Sequence, residues 1–250
     1  MNKLQLENRM RQAIGNIEQL GYEILEQAVM VPDCQQVLQQ FTDQTQDDSE
    51  SSLSTSRGTV FAARNLIDEF PPAVSIWRQS VLLELLQEVL GPQAGLVRVL
   101  FFDKPSDRSW NLPWHKDMTV AVKDNSIPTS LFCKPTNKAG VDHFEAPTEI
   151  LEQMLTLRLH LDRVTNQNGP LRVIPGSHSN GKQAAISTDD FATINANVGD
   201  VLAMRPLISH SSGHAEANTG LHRRILHFEF CGVPELPDQI QWHRFIPITG

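Results

Sequence analysis

Apolar residues recur every three or four positions near the start of the chain, which is the spacing of one helix face. They are Leu6, Met10, Ile14, Ile17 and Leu20. Gly21 follows directly and predicts the end of this helix, because glycine adopts the left-handed backbone conformation at low cost. The next residues, Tyr22–Leu25, predict a short strand.

Two further helices are predicted before residue 93. One begins near Pro32 and runs to Phe41, since proline is favoured in a first helical turn. The segment Thr42–Gly58 is rich in Ser, Thr, Asp and Gln, so we expect an exposed loop there. Ser80 is the expected N-cap of the second helix, Val81–Leu90, because a serine hydroxyl can accept a free backbone N–H.

From residue 96 onward, short apolar runs alternate with Pro, Gly and Asn, a pattern that predicts strands joined by turns. The predicted strands are Leu96–Phe102, Thr119–Val122, Leu155–Asp162, Leu171–Ile174, Asp200–Met204 and Arg223–Phe230, with a helical turn at Glu149–Met154. This order favours a mainly β, α+β fold in which a β-sandwich or barrel carries helices on one face. We expect a single domain over residues 1–250, largely helical in 1–92 and β in 93–250.

Two of these strands have one apolar and one ionisable face. In Leu157–Asp162, leucines alternate with an arginine, a histidine and an aspartate. In Arg223–Phe230, a face with Arg223, His227 and Glu229 alternates with a face of leucine and phenylalanine. Both ionisable faces either point into water or share a polar cavity. We favour the cavity, because the candidate metal ligands described below, a histidine–aspartate pair and a distant histidine, need one.

Composition and charge narrow the possible partners. The net charge is −8, and 40% of residues are hydrophobic and 20% charged, as in ordinary globular proteins. The acidic balance disfavours broad binding to nucleic acid or anionic membranes. The sequence has neither an apolar run of roughly 20 residues nor a signal-peptide core, so we expect a cytoplasmic protein. Cys34, Cys133 and Cys231 are expected to be reduced thiols.

The sequence Trp114-His115-Lys116-Asp117 carries the clearest chemistry. On an extended strand, side chains two residues apart point the same way, so His115 and Asp117 can bind one metal. A second histidine would complete a 2-His-1-carboxylate triad, which is typical of non-heme iron(II) sites. His210 is the preferred candidate because it follows an apolar run at a strand end. His214 is the alternative, and it lies beyond Gly213 in a predicted turn.

Arg223 is the candidate anion ligand. Its guanidinium can bind a carboxylate through two hydrogen bonds and stays charged at working pH. The order His-x-Asp, a long gap, His and then Arg is the order that an iron(II)- and 2-oxoglutarate-dependent oxygenase needs. Arg224 is adjacent but falls on the apolar face, where we expect a structural ion pair.

The chain resembles the phytanoyl-CoA dioxygenase family of iron(II)- and 2-oxoglutarate-dependent oxygenases, mainly between Gly95 and Phe230. The matching segments are Phe102-Asp103-Lys104-Pro105, Pro113-Trp114-His115-Lys116-Asp117, Asn168-Gly169-Pro170-Leu171, Pro175-Gly176-Ser177-His178, Gly199-Asp200-Val201-Leu202 and His210-Ser211-Ser212-Gly213. The glycines are expected to provide backbone freedom, and His178 is expected to act as a hydrogen-bonding anchor.

The resemblance implies a double-stranded β-helix core (a jelly roll, similar to cupins) with the N-terminal helices packed on its major sheet. It assigns the iron(II) ligands to His115, Asp117 and His210 and the 2-oxoglutarate contact to Arg223. Two further positions of the 2-oxoglutarate pocket fall on Leu100 and on Arg158, where some members carry an aromatic residue.

The implied activity is hydroxylation of a C–H bond in a small-molecule substrate, with 2-oxoglutarate and O2 converted to succinate and CO2. Asp117 argues against a halogenase, which would carry a small residue there. Arg64, Arg98 and Lys104 are candidate substrate contacts that would favour an anionic substrate. The alternatives are a non-catalytic jelly-roll protein that binds a metal or an anion, and another metalloenzyme on the same scaffold. The sequence identifies neither the substrate nor the oligomeric state.

Overall fold

The computed structural model describes residues 3–47, 53–56, 59–104, 111–187, 189–216 and 219–249. Its helices are α1 (Lys3–Gln19), α2 (Val31–Asp47), α3 (Leu66–Glu69), α4 (Pro71–Ile76), α5 (Ser80–Leu90) and α6 (Thr148–Glu152). Within this part of the chain, no helix has the length and apolar composition that crossing a membrane requires. The three cysteines are all free, as expected.

The strands follow in chain order. They are β1 (Tyr22–Leu25), β2 (Leu53–Ser56), β3 (Thr59–Ala63), β4 (Gly95–Phe102), β5 (Leu112–His115), β6 (Thr119–Val122), β7 (Cys133–Lys138), β8 (Val141–Glu145), β9 (Met154–His160), β10 (Leu171–Val173), β11 (Ala192–Ile194), β12 (Val201–Met204), β13 (His210–Ser212), β14 (Ile225–Cys231) and β15 (Ile246–Pro247).

The strands form antiparallel sheets of different size. The major sheet has the order β1-β12-β9-β14-β4-β3-β2, with β15 paired to β4. A smaller sheet has the order β11-β10-β13-β5, and a third has the order β6-β8-β7. Leu171 and Val173 of the smaller sheet pack with Leu202 and Met204 of the major sheet. The result is an α+β architecture with antiparallel sheets.

Helices α1 to α5 pack on one face of the major sheet. The apolar sides of its central strands meet helical residues in a single core, which includes Leu157 of β9, Phe228 of β14, Phe41 of α2 and Leu85 of α5. The ionisable side of the same strands is also buried: Arg158 is 8% exposed, and Glu229 is 3% exposed. The expectation of a shared polar interior is therefore confirmed, and the water-facing alternative is wrong.

The prediction of an exposed loop at Thr42–Gly58 is wrong in two places. Helix α2 continues to Asp47, and β2 pairs with β3 at the edge of the major sheet. Within α2, the Thr42 and Thr45 hydroxyls donate to the carbonyls of Leu38 and Phe41 at 2.8 and 2.9 Å. These threonines thus satisfy their polar groups inside the helix, which composition does not reveal. The rest of the predicted loop, 48–52 and 57–58, lies outside the described residues.

The predicted helix cap at Ser80 is also wrong. Ser80 is the first residue of α5, and the N-cap position is Gln79. The backbone N–H groups of Leu82 and Leu83 donate to the Gln79 carbonyl at 3.0 and 2.9 Å. The other predicted strands and the helical turn occur within one or two residues of their expected ends.

Gly199 shows how tightly the segment before α2 packs against the start of β12. Its φ of +87° favours glycine, and its carbonyl accepts the Val29 N–H at 3.0 Å. A Cβ at this position would lie 2.2 Å from the Val29 carbonyl oxygen, which is backbone and cannot rotate away.

We therefore expect Gly199→Ala to lower the free energy of unfolding by roughly 2 kcal/mol or more. Gly15→Ala is the matched control, because Gly15 lies in α1 and no atom is within 4 Å of the place that its Cβ would occupy. That control should be neutral or stabilising by about 0.5–1 kcal/mol. Urea unfolding measures both changes, and equal effects of the two substitutions would contradict the proposed crowding.

Candidate active site

Strands β5 and β13 bring two of the candidate metal ligands together. They pair antiparallel with His115 directly opposite His210, and the ring centroids are 4.2 Å apart. Asp117 follows β5, where its N–H donates to the Pro206 carbonyl at 3.0 Å. One ligand atom from each of the three side chains lies within 4.8 Å of the others. His214 is exposed and lies outside this group.

Backbone carbonyls orient both imidazole rings. The Nδ1 of His115 lies 2.8 Å from the Pro113 carbonyl, and the Nδ1 of His210 lies 3.0 Å from the Ile208 carbonyl. Because Nδ1 must carry a proton to donate to a carbonyl, the neutral form of each ring presents Nε2 as the metal-binding nitrogen. These Nε2 atoms face Asp117, at 3.9 Å from Oδ1 for His115 and 3.6 Å from Oδ2 for His210.

The protonation states suit a cation. Removal from water raises the pKa of Asp117, but His210, His227, His115 and Arg98 outweigh this and lower it to about 2. Burial lowers the pKa of His210 to about 4, against the attraction of Asp117. The site offers two imidazoles and one carboxylate, a donor set that fits iron(II).

Lys116 and Ser177 hold the two ligand segments against each other. The buried Lys116 side chain points away from the metal ligands, and its Nζ donates to the carbonyls of Ser177 and Gly181 at 2.8 and 2.7 Å. The Ser177 hydroxyl accepts the N–H of Ser209, next to His210, at 2.8 Å. The Pro-Gly-Ser-His motif therefore links the segment of Asp117 to the segment of His210.

A group of three cations, Lys104, Arg158 and Arg223, lies beside the metal ligands; we call it the anion site. Lys104 is fully buried, its N–H donates to the Arg223 carbonyl at 3.3 Å, and its Nζ donates to the Gly213 carbonyl at 2.6 Å. Arg158 and Arg223 are 8% and 7% exposed. Among the described residues, the buried Nε of each arginine has no hydrogen-bond partner.

Burial and mutual repulsion disfavour the charged forms of Lys104, Arg158 and Arg223. The pKa of Arg223 is lowered to about 9 by burial and by Arg158, with Asp103 opposing. Burial lowers the pKa of Arg158 to about 10, and burial together with both arginines lowers the pKa of Lys104 to about 7. Buried cations of this kind need an anionic partner. A dicarboxylate fits this requirement.

The Asn-Gly-Pro-Leu motif positions Arg223. The Nδ2 of the fully buried Asn168 donates to the His222 carbonyl at 3.0 Å, one residue before Arg223. The Gly169 carbonyl accepts from Nη1 of Arg223 at 2.6 Å. Gly169 has a φ of +66°, and a Cβ there would lie 2.7 Å from the Gly213 carbonyl oxygen. The motif thus shapes the anion site without supplying an ionisable group.

The other predicted residues have distinct surroundings. Leu100 lies opposite His227, which lies opposite Arg158, in one row across β4, β14 and β9. Arg98 donates to both carboxylate oxygens of Glu229, so its charge is balanced inside the protein. Arg64 is partly buried near this pair.

The expected structural pair of Arg224 is present, with Nε and Nη2 donating to Asp162 at 2.8 and 2.6 Å. The expected anchor role of His178 also holds, since its Nε2 lies 3.1 Å from the Glu18 carbonyl.

The sequence-based prediction did not include Lys116, Lys138 and His143 among the residues near the candidate site. Alternation along β5 was the available signal for Lys116, because it must point away from His115 and Asp117.

A model of the phytanoyl-CoA dioxygenase family matches residues 8–225. The chain belongs to the phytanoyl-CoA dioxygenase family. The matched region includes the three candidate metal ligands and Arg223, so the resemblance based on sequence motifs is confirmed. A search of characterised protein sequences found no significant match.

Several solved structures share the fold. The ThoJ–nickel complex, a non-heme monooxygenase, is 15% identical with a TM-score of 0.67, over 95% of this chain and 84% of that one. EctD from S. alaskensis is 16% identical with a TM-score of 0.66, over 95% and 82%. HygX from Streptomyces hygroscopicus, solved with nickel, 2-oxoglutarate and hygromycin B, is 13% identical with a TM-score of 0.60, over 88% and 86%.

The contacts of Lys116 generate a prediction about metal binding. Lys116→Met keeps a long apolar stem but loses both hydrogen bonds to the loop at residues 177–181. Because groups that orient metal ligands typically contribute 10- to 100-fold to affinity, we expect roughly that loss in Mn(II) affinity. Lys123→Met is the control, since its Nζ bonds the Gln241 side chain near the surface. Unchanged Mn(II) affinity in a folded Lys116→Met protein would contradict the positioning role.

Proposed function

We propose that the protein is an iron(II)- and 2-oxoglutarate-dependent dioxygenase that hydroxylates a C–H bond of a small-molecule substrate and releases succinate and CO2. One observation carries this proposal: the His115, Asp117 and His210 cluster lies beside two buried arginines, Arg158 and Arg223, whose Nε atoms have no hydrogen-bond partner among the described residues. Iron(II) and a dicarboxylate would satisfy both needs at once.

In this proposal each residue has a defined task. His115, Asp117 and His210 hold iron(II), and Arg223 binds the carboxylate of 2-oxoglutarate that is remote from the metal, through charge-assisted hydrogen bonds. Arg158, whose charge interacts with Asp117, adds positive charge between Arg223 and the metal ligands. When bound, iron(II) and O2 supply the oxidative chemistry, while Leu100, 5% exposed, keeps the co-substrate pocket apolar on one side.

The exposure of the metal ligands supports catalysis over a structural metal site. The side chains of His115 and Asp117 are 33% and 30% exposed. A metal held there would remain accessible, as catalytic metals must be, whereas structural metals are enclosed by their ligands. A protein that only binds a metal or an anion would not need this access.

We propose further that the two facing sheets form a double-stranded β-helix, or jelly roll, and that residues 1–92 and 93–250 make one domain. The smaller sheet β11-β10-β13-β5 carries both histidines, while the major sheet carries Arg158. Arg223 lies two residues before β14 of the same major sheet. The metal ligands and the anion site would then lie between the sheets, which fits the fold of the structural relatives.

Removal of the carboxylate ligand tests the metal assignment. We expect Asp117→Ala to abolish succinate formation and to weaken iron(II) binding, because two neutral imidazoles alone do not balance the cation. Asp124→Ala is a suitable control, since Asp124 lies on the surface and bonds only Ser126. The assay measures CO2 release from 2-oxoglutarate, with or without substrate. Full iron-dependent turnover in Asp117→Ala would exclude this ligand assignment.

Adjacent arginines provide a matched test of the co-substrate site. We expect Arg223→Met to weaken 2-oxoglutarate binding roughly 10- to 100-fold, the range of one charge-assisted hydrogen bond. Arg224→Met removes the Asp162 pair and should lower stability while leaving this affinity within about twofold. Anaerobic titration, followed by the charge-transfer absorption of the iron(II)–2-oxoglutarate complex, measures both. Equal losses in the two variants would contradict the specific role of Arg223.

A further inference from the structure

A second group of cations, distinct from the anion site, lies beside the metal ligands. Arg64 follows β3, whose residues Ala62 and Ala63 pair with Phe102 and Phe101 of β4. Ala63 is fully buried in the core beneath the helices. Because side chains alternate along a strand, Arg64 lies on the opposite face, the one that carries Arg98.

Lys138 joins Arg64 from a different sheet. The Nδ2 of Asn65 donates to the Ala139 carbonyl at 2.9 Å, which ties the residue after Arg64 to the residue after Lys138. The Nζ of Lys138 donates to the Thr119 hydroxyl at 3.1 Å, two residues beyond the metal ligand Asp117. The two cations therefore meet next to the metal site although 74 residues separate them.

Carboxylates near Arg64 and Lys138 attract them, but within the described residues none forms a salt bridge with either cation. Glu229 attracts both cations and Asp117 attracts Lys138, but both carboxylate oxygens of Glu229 already accept hydrogen bonds from Arg98. Within the described part of the chain, Arg64 has no hydrogen bond or ion pair, and Lys138 bonds only the neutral Thr119 hydroxyl. Burial and Arg98 lower the pKa of both groups, and Arg64 adds to this effect on Lys138.

The neighbouring histidine adds no charge that would compensate. The Nδ1 of the buried His143 lies 2.9 Å from the Val141 carbonyl, so it carries the proton. Burial and the neighbouring Arg98 lower the pKa of His143 to about 4, and the ring is neutral at working pH. Asp117 is committed to the metal in the proposed function. Two positive charges at Arg64 and Lys138 are thus left for an external anion.

We propose that Arg64 and Lys138 bind a small oxyanion group of the primary substrate, such as a carboxylate, and so select anionic substrates. This inference rests on the proposed function and specifies the substrate class. It also assigns different roles to Arg64, Arg98 and Lys104, which the sequence analysis grouped as candidate substrate contacts. Lys104 belongs to the anion site beside Arg223. Arg98 is the ion-pair partner of Glu229, and its charge repels Arg64 and Lys138.

Two simple oxyanions test the proposal without knowledge of the substrate. The protein is loaded with Mn(II) and saturating 2-oxoglutarate, which fills the first anion site, and is titrated with acetate or sulfate at constant ionic strength. Calorimetry and thermal stability provide the readouts. We expect saturable binding of at least one probe to the wild type, and at least about tenfold weaker binding to Arg64→Met and to Lys138→Met. Preference for acetate over sulfate indicates a carboxylate.

Two further variants control for charge and folding. Lys134→Met removes another lysine of β7, which is exposed and pairs with Glu145, and should bind the probe as the wild type does. Arg64→Lys keeps the charge and should retain more binding than Arg64→Met. The proposal is overturned if neither probe binds the wild type, or if Arg64→Met and Lys138→Met bind it unchanged. Failure of 2-oxoglutarate to bind the same samples would instead refute the proposed function.

Discussion

The interior of this protein holds a group of buried cations, Lys104, Arg158 and Arg223, that repel one another. Charged groups removed from water need partners, because the lost hydration costs several kcal/mol per ion. Arg98 and Glu229 solve this by pairing with each other. Among the described residues, neither Arg158 nor Arg223 is paired with a carboxylate in this way, and Asp117 lies among the imidazoles of the candidate metal site. In the proposed function, the co-substrate supplies negative charge to the buried arginines, and the metal supplies positive charge beside Asp117.

The family motifs work mainly by holding backbone segments in place. Lys116 and Ser177 connect the segment of His115 and Asp117 to the segment of His210. Asn168 fixes the chain beside Arg223. Gly169 allows a close approach that any side chain would block. Chemistry therefore resides in few residues, while the motif residues around them define the geometry of the site. Loss of such a residue is expected to change affinity for the metal or the anion more than it changes the fold.

The candidate active site and the proposed substrate contacts come from different parts of the architecture. The candidate metal ligands and Arg223 lie in or within two residues of β5, β13 and β14. The structural relatives include proteins described as a monooxygenase and an epimerase. Arg64 and Lys138 come from a sheet edge and from the separate β6-β8-β7 sheet. Such peripheral segments can change without disturbing the centre, so a common oxidative chemistry can serve different substrates.

The sequence by itself determined the local patterns: the alternating faces of β9 and β14, the His-x-Asp pair and the order of the ligands before Arg223. These follow from strand periodicity and donor chemistry, which depend on neighbours in the chain. Tertiary structure decided the rest. The extension of α2, the pairing of Arg98 with Glu229 and the meeting of Arg64 with Lys138 depend on contacts between distant segments. Side-chain charge is visible in a sequence, but whether that charge is balanced depends on which residues the fold brings together.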